Sequence, residues 1–305
     1  MAKILDTKSS RSAKPVLASP FPSLIPQEKL VAIYAAMVKC RMLQQRAAVL
    51  FQQGKLDADL HTSGGREACA AAVGVDLQPE DVLSIAPGDW LPAFVKGFPA
   101  EIIFRALAPR VSGYSASVLN EAQKHNILEN QANQPAIVRE RAEALQAAKK
   151  SSIVAALFER DAAWQKVLSV AGAKKLPVVF VQHAIDSRPS KVTSSPSRSK
   201  TPPSLVNGVP LIAVDAADPV AVYRVAYEAI IRARQGRGAT LLECAAIPII
   251  HSPDPDANQP VQTPDAIAKM EVYLKNKRIE PELCNRQLVP EFTRDLDLAT
   301  RFLSP

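Results

Sequence analysis

Two histidines stand where side chains could transfer protons or donate hydrogen bonds. His61 comes directly before a run of small residues, and His251 follows the apolar pair Ile249-Ile250. Because histidine exchanges protons near neutral pH, both are candidate acid–base residues. A single histidine is more often structural, and sequence position alone leaves that alternative open.

A glycine turn follows the first of these histidines and opens a predicted helix. Gly64 and Gly65 precede a segment that is rich in alanine and contains Glu67. A turn of this kind leaves free N–H groups at a helix start, where anions bind. Gly64, Gly65 and Glu67 are therefore candidate ligand-binding residues. The pattern fits equally well with a helix whose small residues only allow close packing.

Two carboxylates follow predicted strands, where ligands of parallel sheets bind. Asp161 comes after a strand that ends at Phe158, and Asp186 comes after one that ends at Val181. Both could supply oxygen to Mg²⁺. Asp161 also suits a helix N-cap and Asp186 opens a polar segment, so we assign no metal ligand. The sequence contains no Walker A motif, no G-x-G-x-x-G and no G-x-S-x-G.

The elements that must position these residues alternate between strands and helices. A long amphipathic helix is predicted at about 26–53, and strands at 82–85, 153–158, 176–181, 211–214 and 240–244. Such alternation favours a parallel sheet, and a wholly apolar strand is typical of one that is buried on both faces. The predicted fold is α/β, a mostly parallel sheet covered by helices on both faces. Residues 113–134 give no clear pattern.

Charge and composition divide the chain into one domain and two polar segments. We expect residues 1–24 to form a disordered basic tail and residues 25–305 to form one domain with C-terminal helices and a low-complexity loop at 187–203. Much of the net charge of +7 lies in the tail and the loop. No aromatic residues alternate with these cations to stack bases, so we do not expect nucleic-acid binding.

The same composition argues against membrane insertion and secretion. No apolar run is long enough to span a bilayer, and the N-terminus lacks the apolar core of a secretory signal. A cytoplasmic location is therefore expected, and the basic, serine-rich N-terminus leaves an organellar transit peptide as the alternative. The four cysteines are scattered, which predicts neither a zinc site nor a disulfide framework.

Several segments together resemble the α subunit of the E1 component of thiamine-diphosphate-dependent 2-oxo acid dehydrogenases, of the pyruvate and branched-chain type. Their order and spacing carry the resemblance more than any one of them. The segments are MVKCRMLQQRAAVLFQQGKL, HTSGGREACAAAVGVDLQPED, FVKGFPAEIIFRAL, KKLPVVFV, AVDAADPVAVYRVAYEAIIRARQGRGATLLE and IIHSPDPD.

The resemblance implies a specific assembly and chemistry. It implies a thiamine-diphosphate-binding fold, an oxidoreductase that decarboxylates a 2-oxo acid, and an α₂β₂ heterotetramer. Thiamine diphosphate and Mg²⁺ would lie between this chain and a β-like E1 subunit, and a lipoyl-bearing E2 would receive the acyl group. His61 and His251 would be the remnants of the family's catalytic residues.

The sequence departs from the family pattern where the cofactor is held. The family's Gly-Asp-Gly has no match after Phe158, and its Asn-Asn pair falls on Ala184 and Ile185. A cofactor-binding Tyr-Arg pair falls on Pro87 and Gly88. We therefore expect weak or absent cofactor binding and a pseudoenzyme that acts as scaffold or regulatory partner of the β-like subunit. The alternatives are an active E1 α subunit, and an anion- or nucleic-acid-binding module that reuses the fold.

Overall fold

Strands and helices alternate along most of the chain. The structure, a computed structural model, describes residues 25–58, 60, 66–108, 114–129, 133–159, 162–184, 205–245 and 265–303. Seven strands lie in these ranges: β1 Val82–Ile85, β2 Ile127–Glu129, β3 Val154–Glu159, β4 Val178–Ala184, β5 Leu205–Val206, β6 Val209–Asp215 and β7 Thr240–Ala245. Ten α-helices accompany them: α1 Gln27–Gln52, α2 Arg66–Gly74, α3 Leu91–Val95, α4 Ala100–Leu107, α5 Tyr114–Lys124, α6 Gln134–Ala147, α7 Ala163–Lys174, α8 Pro219–Arg234, α9 Ala266–Asn276 and α10 Pro281–Ala299.

The strands form one sheet in the order β2-β1-β3-β4-β7-β6-β5. Every neighbouring pair is parallel except β5 and β6, which are antiparallel. The predicted α/β class with a mostly parallel sheet is therefore confirmed.

Helices cover both faces of this sheet because successive strand residues point to opposite sides. Leu157 and Val181 belong to an apolar cluster that includes α1, α2, α8, α9 and α10. Their strand neighbours Phe158 and Phe180 belong to a second cluster, with α6 and α7. The apolar run 178–181 of β4 follows from this arrangement, since these residues are buried on both faces of the sheet.

Two helices, α1 and α8, have the buried face and the N-cap that their sequences predict. The apolar residues of α1 that recur three and four positions apart, from Leu30 to Leu50, are buried along one side. At the start of α8, the Asp218 carboxylate accepts a hydrogen bond from the Ala221 amide at 3.0 Å. Asp218 is thus the N-cap that the sequence predicts.

Some elements differ from the sequence-based expectation. Residues 113–134, which gave no pattern, contain α5 and the edge strand β2. The short helix α3 and the antiparallel strand β5 were also not predicted. The helix expected from Asp161 begins at Ala163, with Ala162 at the N-cap position. Asp161 lies outside the described residues, as do the predicted tail 1–24 and loop 187–203.

A buried ion pair stabilises the end of the sheet at which the parallel strands begin. Asp81, just before β1, is fully buried and accepts two hydrogen bonds from Arg234 of α8, at 2.5 and 3.0 Å. It also accepts from the backbone amides of Gln78 and Ile153, at 2.7 and 2.9 Å. One carboxylate therefore joins the beginnings of β1 and β3 to the end of α8.

Candidate functional site

The strand order identifies where a ligand would bind. From β1 the chain moves outward to β2 and then returns to β3 on the other side of β1. The direction of strand order therefore reverses between β1 and β3. In open α/β sheets, ligands bind outside the carboxyl ends of the strands at such a point. The candidate site therefore lies at the carboxyl ends of β1, β3 and β4.

A buried glutamine closes the end of β1 beneath this crevice. The Gln134 side chain, at the start of α6, donates to the Ser84 hydroxyl and to the Ile85 carbonyl, both at 2.8 Å. In the turn that follows β1, the Gly88 amide donates to the Glu129 carboxylate of β2 at 3.4 Å. Polar groups at and just after the end of β1 are therefore hydrogen-bonded to other side chains of the chain.

A cluster of buried and half-buried charges lies beside this turn. The Arg66 guanidinium, at the start of α2, is 3.4 Å from the Asp89 carboxylate, and both side chains are buried. Arg41 of α1 donates to the buried carboxylate of Glu67 and makes two hydrogen bonds, of 2.9 and 2.8 Å, to Asp265. We call these five residues the charge cluster. It contains two guanidiniums and three carboxylates.

The protonation of the charge cluster follows from these contacts. The Arg41 hydrogen bonds hold the pKa of Asp265 below its usual range, and the Asp265 hydrogen bonds in turn raise the pKa of Arg41. Asp265 also caps α9, where its carboxylate accepts from the Ile267 amide at 3.0 Å. Both groups are therefore charged at neutral pH, and the Arg41 guanidinium is engaged on two sides.

Two cysteines near the cluster, Cys40 and Cys69, are protonated at neutral pH, and a third, Cys244, lies beside Cys69. Burial, reinforced by Glu67 and Asp89, raises the pKa of the Cys40 thiol. A hydrogen bond with Cys244, together with burial, raises the pKa of Cys69. All three side chains are buried. A nucleophilic cysteine needs a thiolate, so Cys40 and Cys69 do not suit covalent catalysis.

The predicted site residues divide into one that is described and four that are not. Glu67 lies in the first turn of α2, where it is buried and bonded to Arg41. His61, Gly64, Gly65 and His251 lie outside the described residues.

Asp186, considered from the sequence as a possible Mg²⁺ ligand, lies outside the described residues. Lys175 caps the end of α7 before β4 and therefore lies at the opposite end of the sheet from the candidate site.

Four residues of the charge cluster were not predicted from the sequence: Arg41, Arg66, Asp89 and Asp265. Arg41 and Asp265 are 224 positions apart, and no local motif marks either one. For Asp89, the only signal was its place four residues after the end of β1.

The fold defines a class: an α/β protein with a mostly parallel sheet, covered on both faces, whose strand order reverses between β1 and β3. A family model described as "Dehydrogenase E1 component" matches residues 34–281. The chain belongs to the dehydrogenase E1 component family.

Curated relatives agree with this family. The chain is 26% identical to pyruvate dehydrogenase E1 component subunit alpha-3, chloroplastic, of Oryza sativa subsp. japonica, over 85% of this chain and 68% of the relative. It is 27% identical to the alpha-3 subunit of the same name from Arabidopsis thaliana, over 72% of this chain and 56% of the relative. It is also 28% identical to the α subunit of acetoin:2,6-dichlorophenolindophenol oxidoreductase of Bacillus subtilis, over 72% of this chain and 69% of the relative.

The described residues contain neither a metal-binding cluster nor a membrane-spanning helix. Among the described residues, no three histidine, cysteine or acidic side chains are grouped closely enough to hold a metal ion. None of the described helices combines the length and apolar character that crossing a bilayer requires.

Proposed function

We propose that this chain is an E1 α-like subunit of a 2-oxo acid dehydrogenase that has lost its hold on the cofactor. In this proposal it acts as scaffold or regulatory partner of a β-like subunit. One observation carries the proposal: Arg41 and Arg66 of the charge cluster are already engaged by Glu67, Asp89 and Asp265. The guanidiniums beside the crevice have carboxylate partners where a phosphate would need them.

The electrostatic consequence for a diphosphate is unfavourable. With three carboxylates and two guanidiniums, the cluster presents net negative charge to an incoming anion. Burying an uncompensated charge costs several kcal/mol, and each ~1.4 kcal/mol weakens binding tenfold. Thiamine diphosphate should therefore bind many orders of magnitude more weakly than to a site with free cations.

The strand ends do not supply Mg²⁺ ligands in the positions that the family resemblance implies. β4 ends at Ala184, a residue type without a side-chain oxygen, and the turn after β1 holds Pro87 and Gly88. Mg²⁺ requires an octahedral set of oxygen ligands. The residues at these positions do not fit thiamine diphosphate and Mg²⁺, so we derive no catalytic step through them.

The proposed partner is a β-like E1 subunit, in a heterotetramer of the α₂β₂ type, with a lipoyl-bearing E2 as a further partner. In this proposal, residues 25–305 form one domain of a cytoplasmic protein, although two of the relatives are chloroplastic by name. Co-expression with a candidate β-like subunit, followed by affinity capture and size-exclusion chromatography with light scattering, tests the assembly. We expect a stable complex; a monomer that captures no β-like chain would contradict the proposal.

An active E1 α subunit is the second candidate function. The family match, which spans residues 34–281, favours it. Reconstitution with the β-like subunit, thiamine diphosphate, Mg²⁺, a 2-oxo acid and an artificial electron acceptor separates the two candidates. We expect no acceptor reduction above the rate of the β-like subunit alone. Turnover that depends on this chain would establish the active subunit instead.

A further inference from the structure

A row of exposed cations lies at the end of the sheet where the parallel strands begin, opposite the candidate site. Three neighbouring strands, β3, β4 and β7, begin at this end, and a basic turn precedes each of them. The cations are all exposed: Lys149 and Lys150 before β3, Lys174 and Lys175 before β4, and Arg237 before β7. We call these five residues the basic edge.

Two sets of contacts bring the three turns together. The Gln146 side chain, at the end of α6, donates to the carbonyls of Lys174 and Lys175 at 2.9 and 3.2 Å. A Cβ atom at Gly238 would lie only 3.3 Å from the Lys175 Cα atom, so the turn after Arg237 touches the turn before β4. The basic edge is therefore one continuous surface.

Carboxylates of the chain neutralise little of this surface. Lys174 pairs with Glu143 at 2.7 Å. In the part of the chain that the structure describes, Lys149, Lys150, Lys175 and Arg237 have no ion-pair partner. On the β1 side, Asp81 is already bonded to Arg234.

The position of these cations is only partly explained by helix stability. A cation near a helix C-terminus is stabilised by the negative end of the helix dipole, which accounts for one cation at the end of each of α6, α7 and α8. Each of the two lysine pairs supplies a second cation beyond that number. The two lysines of each pair repel each other electrostatically. A negatively charged ligand that binds both would remove this repulsion.

We infer that the basic edge is a docking surface for an acidic segment of a partner protein. This inference does not depend on the proposed loss of cofactor binding. The surface spans two interstrand spacings, about 10 Å, which suits a short run of carboxylates. None of its five residues is aromatic, so it has no platform for stacking nucleic-acid bases. It lies at the opposite edge from the crevice, so docking leaves the candidate site open.

Fluorescence anisotropy with a labelled octaglutamate peptide and the full chain tests this inference. The docking variant carries Lys150→Glu and Lys175→Glu. The control variant carries Lys166→Glu and Arg286→Glu, which make the same change in net charge at exposed positions elsewhere. We expect the docking variant to bind the peptide at least tenfold more weakly than the control. We also expect binding by the unmodified chain to weaken between 50 and 200 mM salt.

Three results would overturn the inference. They are no binding of the peptide by the unmodified chain, equal losses in the docking and control variants, and tighter binding of an eight-nucleotide single strand than of the peptide. Circular dichroism establishes that each variant is folded. Lys150→Gln with Lys175→Gln, which removes the charge without reversing it, should weaken binding in the same direction if the charge-reversal variant fails to fold.

Discussion

Replacement of Asp81 by alanine tests how the sheet is fixed at its amino-terminal edge. Asp81 is fully buried, and the Arg234 side chain that it binds is only 13% exposed. The substitution leaves that guanidinium without its carboxylate and removes the acceptor for the Gln78 and Ile153 amides. Breaking a buried ion pair from one side costs about 3 to 5 kcal/mol. We expect a loss of unfolding free energy in that range.

Urea denaturation followed by circular dichroism measures this loss. Asp81→Asn, which keeps one oxygen acceptor and the size of the side chain, should lose less. Glu121→Gln removes an exposed ion pair with Lys124 and should leave the midpoint unchanged within error. If Asp81→Ala and Glu121→Gln shift the midpoint equally, Asp81 does not stabilise the sheet edge in the way we describe.

Three further predictions concern α1, α7 and a buried phenol. Arg41→Met should lower the unfolding free energy by about 2 kcal/mol, because it leaves buried Glu67 unpaired. Arg46→Met, on the same helix, removes only an exposed ion pair and should have little effect. Equal urea midpoints for the two variants would refute this prediction. Gly172→Ala should destabilise the protein in thermal melts by about 1 to 3 kcal/mol, because its Cβ atom would lie 2.8 Å from the Asn207 carbonyl oxygen; an unchanged Tm would contradict that contact. Burial, and then its hydrogen bond to Glu271, raise the pKa of Tyr34 above its ordinary value. The protonated Tyr34 phenol therefore stabilises the folded chain fully below pH ~10, and this stabilisation is lost as pH rises further. The unfolding free energy should fall more steeply above pH ~10 in the unmodified chain than in Tyr34→Phe.

The sequence was sufficient for the elements whose own residues determine their structure. The apolar spacing in α1 and the Asp218 cap of α8 are local signals, and both predicted what is found. The continuous apolar run before Val181 indicated a strand that is buried on both faces, as β4 is.

The missed elements depend on neighbours that are distant in the chain. α5 mixes polar and apolar residues over about three turns, and it is anchored by the buried side chains of Val118 and Ala122. β2 has only three residues and, among the described strands, pairs with β1 alone. A strand this short carries no periodicity of its own from which it could be predicted.

The sequence predicted which residues at the strand ends depart from the family pattern, but it did not predict how the charges near the site are paired. The departures at Ala184 and at Pro87-Gly88 could be found from the sequence through the family resemblance. The pairing of Arg41 with Glu67 and Asp265 could not, since it joins residues 26 and 224 positions apart. This pairing indicates that the nearby guanidinium is already in use.

Isothermal titration calorimetry with thiamine diphosphate and Mg²⁺ tests the central claim most directly. The titration uses the full chain, first alone and then in complex with a β-like subunit, and a β-like subunit alone gives the background heat. We predict no saturable heat from this chain and no heat from the complex beyond that background. Saturable, Mg²⁺-dependent binding at micromolar concentration that requires this chain would contradict the claim that its charge cluster and strand ends no longer hold the cofactor.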